Sequence, residues 1–174
     1  MKKIINNSFL LATWIFIGAL AVIAVAFAYR SKDLFSGLGL SNMQVLIFNN
    51  FYIILAAKQS WQLDHINPLL IPRMGKRLYL QFMEMTAVIR VGLYIGIETI
   101  LALMIIPIHA KLGAITLIFV LVNWCQGILF EVSINAFLFR INKVFGLILA
   151  MGLNVMVHYG IIMNVLGKAA GMVQ

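Results

Sequence analysis

Four stretches of this chain stay apolar for as long as a helix needs to cross a lipid bilayer. The run Phe9–Ala28 covers 20 residues, and further runs extend over Thr86–Ile106, Ala114–Phe139 and Val144–Leu166. About 20 consecutive apolar residues span the hydrocarbon core of a membrane. Inside that core each backbone N–H and C=O must find a partner within the protein, which leaves only helices or closed barrels. The runs are continuous rather than alternating, so the helix is the solution they select. Composition agrees: 63% of the residues are hydrophobic and 10% are charged, against about 25% charged in soluble domains. The expectation is an all-α, polytopic transmembrane helical bundle, forming a single domain over residues 1–174.

A weaker candidate, Gly39–Ala57, lies between the first and second runs. It carries Asn42, Gln44, Asn49 and Asn50, amides that a lipid-facing helix excludes. The segment spans if those amides face other helices, and it is re-entrant if they do not. Five spans is the preferred count, with four spans plus a re-entrant segment as the alternative. The N-terminal run, preceded by Lys2 and Lys3 and ending in Ala26-Phe27-Ala28, has the outline of a signal peptide. It exceeds the roughly 7–15 apolar residues of a signal core, so it reads as a retained first span.

Net charge is +8, from 13 Lys and Arg against 5 acids. In a membrane chain such a surplus marks cytoplasmic loops and contact with anionic lipid; no basic stripe interleaved with aromatics suggests nucleic acid. Five spans with the N-terminus inside place eight basic residues in the cytoplasm (Lys2, Lys3, Lys58, Arg73, Lys76, Arg77, Arg140, Lys143) and four outside (Arg30, Lys32, Lys111, Lys168). Four spans give the same ratio, exchanging Lys2 and Lys3 for Arg30 and Lys32. Both arrangements put residues 58–77 in the cytoplasm. With five spans, the preferred count, the N-terminus is expected to be cytoplasmic, in a bacterial inner (plasma) membrane.

That cytoplasmic segment, about 58–81, holds the densest charge. In His65-Ile66-Asn67-Pro68-Leu69-Leu70-Ile71-Pro72-Arg73-Met74-Gly75-Lys76-Arg77, two prolines frame an apolar knuckle and three cations follow. Each proline disfavours helix in the residue before it, and Pro72 suits the first turn of a new helix. Leu69, Leu70 and Ile71 would sit at the membrane surface or against a partner. Arg73, Lys76 and Arg77 would form a basic collar, which either anchors topology on lipid headgroups or docks a cytoplasmic subunit.

The basic elbow Arg73-Met74-Gly75-Lys76-Arg77, leading into a long apolar helix, resembles the small permease subunits of bacterial exporter-type ABC transporters. The resemblance implies that residues 61–81 couple to an ATP-binding subunit. Such permeases have six spans, so a five-span chain would be a reduced subunit working with a second membrane subunit. The chain has no phosphate-binding loop of its own: Gly75-Lys76 is followed by Arg77, and Gly167-Lys168 by Ala169, where the nucleotide-binding motif needs a hydroxyl.

Ionisable groups within the spans carry the remaining functional signal, since each costs roughly 2.5–3.5 kcal/mol at a helix centre on insertion scales. Glu98 is near the middle of its span and Glu131 in the inner half of the next, whereas Arg90 is placed to snorkel to the inner surface. Asn123, Gly127, Glu131 and Asn135 recur at intervals of four, as do Asn142, Gly146, Ala150, Asn154 and His158. Each set forms a small-and-polar stripe, read either as helix packing or as the lining of a pathway. Gly92 and Gly96 add a small-xxx-small pattern. Glu98–His158 and Glu131–Asn154 are candidate pairs.

No catalytic constellation emerges. Asp64 and His65 are adjacent, His109 has no companion, Ser133 lacks a base, and Cys125 stands alone. No metal and no cofactor is expected. Two other readings stay open: a small substrate-capture subunit of a multi-component importer, and a non-transporting immunity or assembly protein.

Overall fold

The computed structural model describes residues 8–108, 112–139 and 141–172. Lys2, Lys3, His109, Lys111 and Arg140, used in the readings above, lie outside them. Helix makes up 89% of the structure, and no strand occurs among the described residues. Four helical rods are long and apolar enough to cross a membrane: Leu11–Ala28, Lys76–Ile105, Gly113–Ile134 and Lys143–Gly167.

The first rod is α1 (Ser8–Ala28). It buries Ile17, Ala21, Ala24, Val25 and Ala28 and turns Leu11, Ile15, Phe16, Ile23 and Phe27 outward. Small side chains inside and large apolar ones outside is the arrangement of a helix packed closely on its neighbours and facing lipid. A π-helical turn, Phe35–Gly39, follows. Its approach is fixed by the Leu34 N–H, which donates to the Pro107 carbonyl at 3.1 Å.

The amide-rich candidate segment is helical from Asn42 onward, after a break at Leu40 and Ser41. A π-helical stretch, Gln44–Asn49, runs directly into α2 (Asn50–His65). The continuous rod starts and ends later than the sequence suggested. It is central: Tyr52, Ile53, Ala56, Gln59 and Ser60 are fully buried.

Helix α3 (Asn67–Met74) and helix α4 (Lys76–Val91) come next. The expected helix start at Pro72 is corrected. Pro68 occupies the first turn, Pro72 lies inside α3, and the break falls at Gly75, whose φ of 80° is readily adopted only without a Cβ. Proline at this sixth residue removes the N–H that would donate to the Pro68 carbonyl four residues back, and the helix ends two residues later. The span then continues through a π-helical stretch, Gly92–Gly96, into α5 (Ile97–Ile105).

The last two rods form a hairpin. Helix α6 (Gly113–Ile134) ends five residues before the apolar run does, and a 3-10 stretch, Asn135–Phe139, takes over. Helix α7 (Lys143–Met156) is capped by the Asn142 side chain, which accepts the Val144 N–H, and continues as a π-helical stretch, Val157–Gly167. Gly146 brings the two rods together, since a Cβ there would land on the Ser133 carbonyl oxygen.

Candidate functional site

Two features stand out: a polar network inside the packed helices and a basic arm at one end. The network has two nodes. At the first, Arg90 of α4 makes a two-pronged contact with Glu131 of α6, Nε to Oε1 at 2.9 Å and Nη2 to Oε2 at 2.5 Å. The same guanidinium donates to Gln59 Oε1 at 3.2 Å and Ser60 Oγ at 2.9 Å on α2. The Tyr52 hydroxyl donates to Glu131 Oε1 at 2.7 Å, and Asn135 Nδ2 reaches Oε2 at 3.3 Å. Planar guanidinium and planar carboxylate match in this geometry. Both charges are thereby held away from lipid.

Arg90 is therefore not a snorkelling residue. It is 0% exposed because a buried acid and two polar side chains of α2 surround it. Glu131 takes Arg90 as its partner, rather than Asn154.

At the second node Gln44 Nε2 donates to Glu98 Oε1 at 2.5 Å and lies 3.3 Å from both the Tyr94 hydroxyl and Asn49 Oδ1. Tyr94 donates to Asn49 Oδ1 at 2.9 Å. Asn49 Nδ2 donates to Asn154 Oδ1 at 3.0 Å, which also accepts from Gln126 Nε2 at 3.0 Å. Asn154 Nδ2 reaches the Val45 carbonyl at 2.8 Å and Asn50 Oδ1 at 3.1 Å. Asn123 lies against the Glu98 carboxyl. The stacked rings of Tyr52 and Tyr94, 4.5 Å apart and 9° from parallel, join the nodes.

The amides of 44–50 are thus all turned inward or along the helix, which is why the segment tolerates them. The Val45 carbonyl, within the π-helical stretch, accepts from Asn154 as well. Sequence reasoning singled out Arg90, Glu98, Asn123, Glu131, Asn135 and Asn154, and the structure gathers them in these two nodes. It missed Tyr52, Gln59, Ser60, Tyr94 and Gln126 as members. The signal available was the run Lys58-Gln59-Ser60, three polar residues in a chain that is 63% hydrophobic.

His158 is 0% exposed, and neither ring nitrogen has a hydrogen-bond partner among the described residues. Its ring meets Tyr159 edge-on at 4.8 Å. The candidate Glu98–His158 hydrogen bond is therefore not formed; Glu98 binds Gln44. Gly146, Ala150, Asn154 and His158 keep their shared buried face, while Asn142 is exposed as a cap. Of the glycine pair, Gly96 packs on Trp124 and Gly92 meets nothing within 4 Å.

The arm is α3 with the first turn of α4. Leu70 is 7% exposed and packs with Leu63, Tyr79 and Met83, with Ile71 alongside. Leu70 is thus an internal anchor with the partly buried Ile71 beside it, correcting the placement of Leu70 at the membrane surface or against a partner. Leu69, 63% exposed, and Arg73, Lys76 and Arg77 all face outward. Asp64 at the end of α2 meets Lys143 at the start of α7, Oδ2 to Nζ at 2.6 Å, so the arm shares one end of the molecule with the hairpin base. Near the end of α1 lies an open depression of about 630 Å³, lined by Arg30, Ser31, Lys32, Asp33, Ser36, Leu40 and Met172.

An all-helical membrane protein, with a buried ion pair among the helices and three exposed cations on one arm, is the class these features define. Compared with protein-family models, curated proteins and solved structures, the chain matches none.

Proposed function

We propose that this chain is a five-span subunit of a bacterial cell-membrane transporter, the permease component of an ABC-type exporter. It docks a cytoplasmic ATP-binding subunit through residues 61–81, with its own N-terminus in the cytoplasm. The observation that carries this reading is the arm. Arg73, Lys76 and Arg77 are exposed beside Leu69, while Leu70 clamps the same short helix to Leu63, Tyr79 and Met83. A docking element needs both an accessible basic-and-apolar surface and a stiff connection to a span. Such a surface fits a partner with an acidic rim and an apolar notch.

The fifth span is the part of the rod Gln44–His65 up to about residue 57. Its outward face presents Leu46, Phe51 and Ile54, an apolar stripe suited to lipid, and its amides bond inward. Glu98 and Glu131 are 1% and 4% exposed; a transport path therefore runs along the outside of this subunit, against a second membrane subunit.

The test is purification of the tagged chain from its native host in mild detergent, with mass spectrometry of what accompanies it. The companion variant changes Arg73, Lys76 and Arg77 together to Ala. A stoichiometric ATP-binding subunit that the variant loses supports the proposal, and no such subunit with the wild type refutes it. A substrate-capture subunit is the second reading, favoured by the depression around Arg30 and Lys32. It predicts an energising module that the triple variant retains.

A further inference from the structure

The two buried acids have opposite surroundings. Glu131 is met by Arg90, Tyr52 and Asn135. Glu98 Oε1 accepts from Gln44 and the neutral Asn123 amide lies against the carboxyl, whereas its buried Oε2 has no hydrogen-bond partner among the described residues. No cation pairs with Glu98 among them either: the neighbouring Arg90 is committed to Glu131. An ionised carboxylate so placed is severely penalised by loss of water, and a neutral acid is not.

The surroundings hold little that could compensate the charge. Helix α1 contributes no titratable side chain, and Gln44–Asn49 contributes none. The span of Glu98 offers Tyr94, which donates to Asn49, and Arg90. From α6 come Glu131, already paired, and Cys125, which is exposed. Helix α2 offers Tyr52, which donates to Glu131, and the exposed Lys58. The last rod offers His158, with both nitrogens unbonded, the exposed Tyr159, and Lys143 on Asp64. Gln44 suits either state of the acid, because an amide donates through its nitrogen to a carboxylate and accepts through its oxygen from a carboxyl O–H.

We propose that Glu98 is a proton-binding site, taking a proton from the aqueous phase onto its carboxylate and returning it there, with Gln44 as the residue that senses its occupancy. Ionised, Glu98 accepts a charge-assisted bond from Gln44. Protonated, it offers Gln44 a weaker neutral one. The tie between the Gln44–Asn49 stretch and the Lys76–Ile105 span therefore slackens on protonation. Both sides of the tie adjoin π-helical backbone, at Gln44–Asn49 and Gly92–Gly96, where helices accommodate local shifts. This inference is independent of the docking proposal.

Infrared difference spectroscopy of the full chain in lipid nanodiscs, titrated from alkaline to acidic buffer, reads the site directly. The expected result is a protonated-carboxyl C=O band that grows on acidification and is absent in Glu98→Gln. In Gln44→Leu the band persists but moves to higher wavenumber as the acid loses its partner. Should Glu98→Gln fail to fold, the Gln44→Leu displacement makes the assignment. A band that is missing at every pH, that is constant throughout, or that survives in Glu98→Gln overturns the proposal.

Discussion

Replacing Arg90 with Leu probes the strongest interaction in the molecule. The side chains of Arg90 and Glu131 are 0% and 5% exposed, so neither can turn to water when the other is removed. Arg90→Leu deletes two hydrogen bonds to the carboxylate and strands Gln59 Oε1 and Ser60 Oγ. Breaking a buried pair from one side costs about 3–5 kcal/mol. Tyr52 and Asn135 remain on Glu131 and hold the loss toward the lower end of that range. The double variant Arg90→Leu/Glu131→Leu removes the stranded charge, and replacing a whole buried pair with apolar groups is often neutral. It should therefore be more stable than Arg90→Leu alone, with a coupling of at least about 2 kcal/mol. Reversible unfolding in mixed detergent and dodecyl sulfate micelles, followed by tryptophan fluorescence, measures all four corners of the cycle. The competing expectation is an ordinary interhelical hydrogen bond in a membrane, which averages about 0.6 kcal/mol. A coupling at that level, or a double variant no more stable than Arg90→Leu, would show that the Arg90–Glu131 pair is not the strongest interaction in the molecule.

Cysteines placed at Lys32 and Lys76 in a Cys125→Ser background should react with a membrane-impermeant maleimide from opposite faces of the membrane, and labelling from one face would remove the fifth span. Gly146→Ala should destabilise by about 1–3 kcal/mol, because the new methyl meets the Ser133 backbone. At Gly127 the obstruction is the far end of Ile95, so Gly127→Ala should cost less and be rescued by Ile95→Val; equal losses at the two sites would contradict the packing described. Gly75→Ala forces a φ of 80° and ψ of 154° on a residue with a Cβ, at about 1–3 kcal/mol. It should loosen the arm, read as faster proteolysis near residue 75 without a change in global unfolding. Lys143→Met should cost no more than about 1 kcal/mol, since the Asp64 pair is partly solvated and such pairs contribute little.

Membrane residence was readable from the sequence because hydropathy is a sum over one helix length and needs no knowledge of neighbours. The stripes Asn123–Asn135 and Gly146–His158 were readable for the same reason: helical periodicity assigns residues to a face. That Glu98, Glu131 and Asn154 would be buried followed from the cost of leaving them in lipid. Which groups meet was not readable. Glu131 lies 41 residues from Arg90, and Gln44 lies 54 from Glu98. Those pairings depend on how far each rod is rotated and slid against the next. The π-helical stretches at 44–49, 92–96 and 157–167 change that rotation without leaving a mark on composition. The same limit explains Arg90: its distance from the helix start suggested the membrane surface, and only the packing of α2 against it showed an interior. Leu70 behaved likewise, an exposed tip by local pattern and an anchor once α2 and α4 were brought beside it. The sequence alone determined the solvent each segment lives in, because that is a local free energy of transfer. The tertiary structure decided which charges cancel and which stays uncompensated, because that is set by a few ångströms between residues far apart in the chain.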